Sequence, residues 1–261
     1  MMNNSKTISR IYCLQDNVGF VELVKSSEDP GLSVVNSARC SYGGSSDKFD
    51  DKDKKLVSYL WKNGHTSPFR HTNYTFHVKC PLMAMRQWVK YQVGCSWRSY
   101  EVDGADVSLD VFDSFFDEDK GCSWNELSGR YAVLDPDFYI PHKLRGNTGH
   151  GSKQSSGDLE WDQTRHDGYR LMMKDHMNTS YRVYRGMLTD GVAKEIARSI
   201  LPQSIYSEAY WTVSLQSLLH FLKQRLQPDA QFEIRQCALG IYQLVKSDLN
   251  KLGISFEDIV S

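Results

Sequence analysis

The sequence predicts an α+β fold in one packed domain over residues 1–261: a small antiparallel or mixed sheet with helices, followed by a helical C-terminal part. Three observations carry this. The segment Gly19-Phe-Val-Glu-Leu-Val-Lys25 opens on a short apolar, β-branched run, and Thr75-Phe-His-Val-Lys-Cys80 alternates strictly, with Phe76, Val78 and Cys80 on one face. From about Asp158 to near the end, by contrast, apolar residues recur at helical spacing. With 261 residues, 40% hydrophobic and 24% charged, the chain is long enough to bury a full core.

Between the two strands, Lys54-Lys-Leu-Val-Ser-Tyr-Leu-Trp-Lys-Asn-Gly64 repeats apolar residues at Leu56, Val57, Leu60 and Trp61, which predicts a helix ended by Gly64. Pro81 ends the second strand, because it cannot donate to a ladder and suits a first helical turn, and 82–92 reads as the helix that follows. Residues 142–160 include a Gly/Ser-rich polar stretch and are expected to form a mobile loop. Residues 158–190 give a long amphipathic helix broken at Gly191, and 192–200 a short one closed before Pro202. Two further helices are expected over 207–225 and 229–252, parted by Gln227-Pro228-Asp229, the second with a stripe of Ile234, Ala238, Ile241 and Val245.

The net charge of −1 supplies no general field for nucleic acid or anionic membrane, so any anion must be held by a local cluster of Arg and Lys. No apolar run approaches a membrane span of roughly 18 residues, and the polar start lacks the apolar stretch of a signal peptide. A cytoplasmic setting is expected. The cysteines, Cys13, Cys40, Cys80, Cys95, Cys122 and Cys237, form no Cys-x-x-Cys pair and no Cys/His cluster at zinc spacing, so reduced thiols and no metal site are expected.

The densest polar cluster is Glu126-Leu-Ser-Gly-Arg130. Such a segment is either a polar turn or a cradle in which backbone N–H groups, Ser128 and Arg130 meet a phosphate while Glu126 accepts from a sugar or amide. Together with Gly64-His-Thr-Ser-Pro-Phe-Arg-His71, the 81–92 segment, Glu195-Ile-Ala-Arg-Ser-Ile-Leu-Pro202 and the 210–225 segment, it resembles, in order along the chain, the flavin-dependent thymidylate synthase family.

The resemblance implies that family's single-domain fold, with FAD, NADPH and methylenetetrahydrofolate serving the reductive methylation of dUMP to dTMP without a cysteine nucleophile. It also implies a homotetramer whose sites are shared between subunits. The positions matching the dUMP site are Gln87, Lys90, Glu126, Leu127, Ser128, Gly129, Arg130, Arg198 and Arg225. Those matching the FAD site are Ser41, Ser67, Lys90, Tyr91, Gln92, Glu126, Ser214, Gln216 and His220.

Arg225, Ser128 and His65 fall nearest the chemistry. Arg225 matches an arginine that polarises the uracil ring, a role suited to a permanent, planar charge. His65 is either a ring that stacks or shuttles protons near the flavin or a buried structural histidine. Taken singly, Arg198 and Arg225 would pass for exposed helix arginines. The family's Arg-His-Arg signature reads Lys90-Tyr91-Gln92 here, with Ser214 and His220 at positions held by asparagines in better-known members. Lys90 keeps a point charge without the bidentate fork, so FAD binding with altered affinity is expected.

Gly-Cys-Ser-Trp occurs twice, at 94–97 and 121–124, a period of 27 residues. Deleting 98–124 would join Lys-Tyr-Gln to Asn-Glu-Leu-Ser-Gly-Arg without a break, so this repeat-flanked stretch reads as an insertion into the dUMP motif. It holds eight acidic residues against Arg98 and Lys120, and Val111, Phe112, Phe115 and Phe116 admit a short amphipathic helix. Two readings stay open. The insert loops outward and the site survives, since loop closure costs grow slowly with length, or its acidity and bulk impair the site and leave a flavin- or nucleotide-binding relative. An FAD- and folate-dependent uracil methyltransferase acting on RNA is disfavoured by the absence of a basic stripe.

Overall fold

The computed structural model describes residues 10–90, 123–147 and 156–261. Strands β1 (Arg10–Tyr12), β2 (Phe20–Ser26), β3 (Asn73–Pro81), β4 (Ser123–Glu126) and β7 (Tyr206–Ser214) form one sheet of order β1-β2-β3-β7-β4. Every pairing in it is antiparallel, with a bulge in β2 between Leu23 and Lys25. β5 (Arg145–Asn147) and β6 (Ser156–Asp158) make a separate two-stranded ladder. The described ends of the expected 142–160 loop are therefore paired with each other. Helices α1 (Pro30–Arg39), α2 (Asp51–Lys62), α3 (Leu82–Trp88), α4 (Gln163–Thr189), α5 (Lys194–Ala197), α6 (Leu215–Arg225), α7 (Phe232–Leu252) and α8 (Phe256–Val260) complete the α+β architecture.

The expected helix over 207–225 is corrected. Its first half is β7, an inner strand of the sheet, and only Leu215–Arg225 is helical. Trp211 and Val213 alternate with Tyr210 and Thr212, a period of two in a β-branched and aromatic run. The helical stripe of Leu215, Leu218, Leu219 and Leu222 starts only after Ser214, which caps α6 by accepting from the Ser217 N–H.

The register sorts the sheet into two faces. Val21, Val78 and Ala209 lie in one row facing the core, as do Leu23, Phe76, Trp211 and Trp124 in the next. The opposite face carries the row Arg10, Glu22, His77, Tyr210 and Asn125. Helix α7 comes close to the sheet at Gly240, where a Cβ would stand 2.7 Å from Val21 Cγ2 and 2.9 Å from Cys13 Sγ. Cys80 and Cys237 are fully buried, whereas Cys95 and Cys122 lie outside the described residues.

Two devices place α1 and α2. Asp50 and Asp53 form a capping box at the start of α2, and buried Asp53 pairs with Arg39 at the end of α1 at 2.6 Å. Helix α4 buries only His166, Met177, Ser180 and Tyr184 along its 27 residues, leaving Tyr169, Leu171, Met172 and Val183 exposed.

Candidate active site

β4 runs along the outer edge of β7, with Glu126 opposite Ala209. One carboxylate oxygen of Glu126 accepts from Ser207 Oγ at 3.0 Å and the other from Trp124 Nε1 at 3.3 Å. Both oxygens thus face donors, which fixes the charge at the end of the strand. The Leu127 N–H then donates to the Glu208 carbonyl at 2.8 Å, and the chain turns through Ser128, whose carbonyl accepts from Tyr131 and Ala132.

Gly129 is buried in this turn because Arg198 crosses it. A Cβ there would stand 3.1 Å from Arg198 Cδ and 3.2 Å from Leu134 Cδ1. Arg198 opens a 3-10 turn, Arg198–Ile200, and is exposed. Arg130 is held by Glu195 at 3.2 Å with both side chains more than half exposed, a contact worth at most about 1 kcal/mol. It yields readily to a stronger anion. Lys194 Nζ donates to the Tyr131 carbonyl at 2.6 Å. The fold therefore brings Arg198, distant in the sequence, against the continuous stretch Glu126 to Arg130.

A second cluster surrounds the start of α6. Gln216 accepts from Arg70 Nε at 2.7 Å and donates to Thr66 Oγ1 at 3.0 Å, bringing it to the 3-10 turn Ser67–His71. The Leu215 N–H donates to the Thr72 carbonyl at 2.7 Å, locking strand, turn and helix together. His220 stands one turn beyond Gln216 on α6, and burial together with the charge of Lys223 holds its pKa below the ordinary histidine value. Both effects favour the neutral ring.

His65 is exposed within the chain and stacks on Tyr59 with ring centroids 6.3 Å apart. Ser41, also exposed, lies in the 3-10 turn Cys40–Tyr42. It is roughly 12 Å along the α1 direction from Ser33, whose hydroxyl bonds the His71 carbonyl.

The remaining positions divide between α3 and α6. Gln87 donates to Gln231 Oε1, and Lys90, just past α3, is exposed. Tyr91 and Gln92 lie outside the described residues, as does the 98–124 segment up to residue 122. Trp88 packs edge-on to Trp211 at 5.5 Å, and Trp124 pairs with Trp211 from β4, so α3 and β4 flank the same core tryptophan. Arg225 ends α6, half-buried. Glu126 pairs with Ala209 and Ser214 lies five residues further along β7, which separates the two clusters by roughly 17 Å within one chain.

Residues 22–249 match the thymidylate synthase complementing protein family, Thy1. The chain belongs to that family. It is 36% identical over 228 residues to the flavin-dependent thymidylate synthase of Thermosipho africanus, covering 87% of this chain and 86% of that protein. It is 34% identical over 240 residues to a flavin-dependent thymidylate synthase of Thermus thermophilus, covering 92% and 76%. Among solved structures, the UMP/dUMP methylase PolB of Streptomyces cacaoi bound to 5-Br dUMP superposes with a TM-score of 0.70 at 27% identity, covering 91% of this chain and 93% of that one. The Thy1 chain is thus an enzyme of the flavin-dependent thymidylate synthase type.

A flavin suits the second cluster. Ser67 and Arg70 are exposed beside it, with Arg70 Nε holding Gln216, and exposed Ser41 adds a hydroxyl on a separate turn, while Ser214 and Gln216 are buried and serve the frame. This donor set fits an anionic, phosphorylated cofactor.

Sequence reasoning missed several supports. Ser207 and Trp124 clamp Glu126, Arg70 and Thr66 clamp Gln216, and Glu233 anchors Gln231. One of these left a trace in the sequence: Glu233 precedes Ile234 at the start of the α7 apolar stripe, an acid on a buried face.

Proposed function

We propose that the chain converts dUMP to dTMP by reductive methylation, using FAD, NADPH and methylenetetrahydrofolate, at sites shared between the subunits of a homotetramer. The observation that carries this reading is the packing of Arg198 across Gly129, which gathers Ser128, Arg130 and Arg198 around a single turn. A dianionic phosphate placed there gains charge-assisted bonds in exchange for the weak Arg130–Glu195 contact. Gln87, Lys90, Glu126 and Leu127 complete the nucleotide side of this reading.

Bound at Ser41, Ser67, Lys90, Tyr91, Gln92, Glu126, Ser214, Gln216 and His220, the FAD supplies hydride equivalents drawn from NADPH. The protein's own part is electrostatic and positional. Arg225 stabilises the enolate-like negative charge on the pyrimidine oxygens that makes C5 nucleophilic, charge that is drawn off as C5 bonds to the one-carbon unit. Ser128 donates to the nucleotide, and His65 offers an exposed ring to the folate and flavin face. The separation of the two clusters within one chain supports sharing, since a second copy can bring its α6 cluster to the first copy's β4 turn.

A second reading is favoured by one observation. β4 begins at Ser123, inside the repeat-flanked segment, whose eight acidic residues precede Glu126 in the sequence, the nearest of them Asp119. On this reading the chain binds flavin and nucleotide but turns over poorly.

The test is dTMP formation by the purified protein with dUMP, FAD, NADPH and methylenetetrahydrofolate, each omitted in turn, and with UMP offered in place of dUMP. Product from dUMP in the complete mixture alone is expected. FAD-loaded protein that binds dUMP without forming product supports the impaired relative, and protein that takes up neither ligand contradicts both readings.

A further inference from the structure

A buried polar chain leads from the start of α7 to Gln87. Glu233 is 1% exposed, and its Oε1 accepts from Tyr139 at 3.0 Å and from Arg145, while its Oε2 accepts from Gln231 Nε2 at 2.9 Å. Gln231 Oε1 in turn accepts from Gln87 Nε2. Burial alone would raise the Glu233 pKa, but the Gln231 and Arg145 bonds outweigh it and hold the group below the ordinary glutamate value. It stays an anion that can only accept.

An amide has a donor end and an acceptor end, so its orientation is set by whatever it faces. Tyr139 and Arg145 are donors and settle on Oε1, leaving Oε2 as an acceptor toward Gln231. Gln231 must then turn its NH2 to Glu233 and its oxygen to Gln87. Gln87 must turn its NH2 to Gln231, which directs Oε1 away from Gln231.

We infer that Glu233, acting through Gln231, is a positioning residue that sets which end of the Gln87 amide meets the substrate. This rests on the reading that Gln87 contacts dUMP. The end presented is the carbonyl oxygen, so the group it meets is a donor, a sugar hydroxyl or a ring N–H, and not a phosphate oxygen.

The chain of orientations makes an unusual prediction. Glu233→Gln keeps size and shape, but Tyr139 and Arg145 retain the new amide's oxygen and turn its NH2 toward Gln231. Gln231 and then Gln87 must invert, and Gln87 presents its NH2 to the substrate. Adding Gln231→Glu restores the original order, because the new carboxylate accepts from both neighbours and Gln87 returns to its first orientation. Two substitutions that swap the charge are thus expected to be milder than one.

The experiment is dUMP affinity by calorimetry on the full-length, FAD-loaded protein, a measurement independent of turnover, with melting temperature as a check on folding. Gln87→Ala is expected to weaken dUMP about tenfold, equivalent to the loss of one good hydrogen bond. Glu233→Gln is expected to match it, while Gln231→Glu with Glu233→Gln returns to within about threefold of the starting affinity. Glu233→Gln placed in the Gln87→Ala background should add nothing.

A further loss in that background, or failure of the folded charge-swapped protein to recover, overturns the inference and leaves Gln87 at the site. No change on Gln87→Ala removes Gln87 from the dUMP site and withdraws the inference with it. The two failures are distinguishable.

Discussion

Ser207 Oγ stands 3.0 Å from Glu126 Oε1, joining the buried start of β7 to the exposed edge strand that leads into the nucleotide turn. Ser207 is 4% exposed, so its hydroxyl is a fixed donor and not one that wanders into solvent. Ser207→Ala is expected to lower turnover about five- to tenfold through a freer Glu126, the worth of about 1 kcal/mol for one hydrogen bond, with Ser207→Thr close to the parent. Steady-state rates for the pair check this, and equal rates for Ala and Thr would remove Ser207 from the account.

Gly129 is the point where the nucleotide turn admits Arg198. Gly129→Ala places a Cβ 3.1 Å from Arg198 Cδ, part of a flexible side chain that can move aside. Weaker dUMP binding by about fivefold is expected, with stability altered by less than about 1 kcal/mol. A large drop in melting temperature with dUMP affinity intact would show that the glycine serves packing alone.

His220 links the α6 cluster to pH. Its folded pKa is depressed, first by burial and then by Lys223, so folding favours the neutral ring. The stability this contributes is present above the unfolded value of about 6.5 and is lost as pH falls through the folded pKa. Urea midpoints measured between about pH 7.5 and pH 5 should fall more steeply for the parent than for His220→Gln. Parallel profiles would contradict the shift.

The Arg39–Asp53 pair tests the frame that carries Ser41. Asp53 is 2% exposed and serves both the ion pair and the α2 capping box. Asp53→Ala is expected to cost about 3 kcal/mol, because it leaves a partly buried guanidinium without its carboxylate and removes a cap. Denaturant unfolding measures it directly, and a loss below about 1 kcal/mol would show that Arg39 finds water instead.

Most of this architecture was legible from period and punctuation. β2 and β3, the α2 helix ending before Gly64, and the long helices α4 and α7 follow from residue spacing, because each buries one face against the same core. β7 carries a helix-like sequence for a physical reason. Its apolar residues run without a gap into the α6 stripe, and only the capping role of Ser214 marks the change of period. β1 and β4 are three and four residues long, too short to show a period, and exist through pairing with β2 and β7. At the site, motif residues could be read one by one. The residues that hold them could not, because Ser207, Gln231 and Arg70 gain meaning only from distant partners.

The repeat acquires structural content from β4. Ser123 and Trp124 form its first half, and Trp124 both pairs with Trp211 and donates to Glu126. Deleting 98–124 would bring the identical Ser96 and Trp97 to the same place before Asn125. The shortened chain is therefore expected to build the same strand and retain the Glu126 clamp. Near-parent melting temperature and flavin uptake check this, and loss of both would show that the segment is needed for folding.

The most direct measurement is tritium release from C5-labelled dUMP, run on the full chain, the chain lacking 98–124, and Arg225→Ala, all with FAD, NADPH and methylenetetrahydrofolate. The account predicts release by the full and shortened chains at comparable rates, and a fall of about a hundredfold on Arg225→Ala with flavin uptake retained. Silence from both the full and the shortened chain, each loaded with flavin and nucleotide, would contradict it.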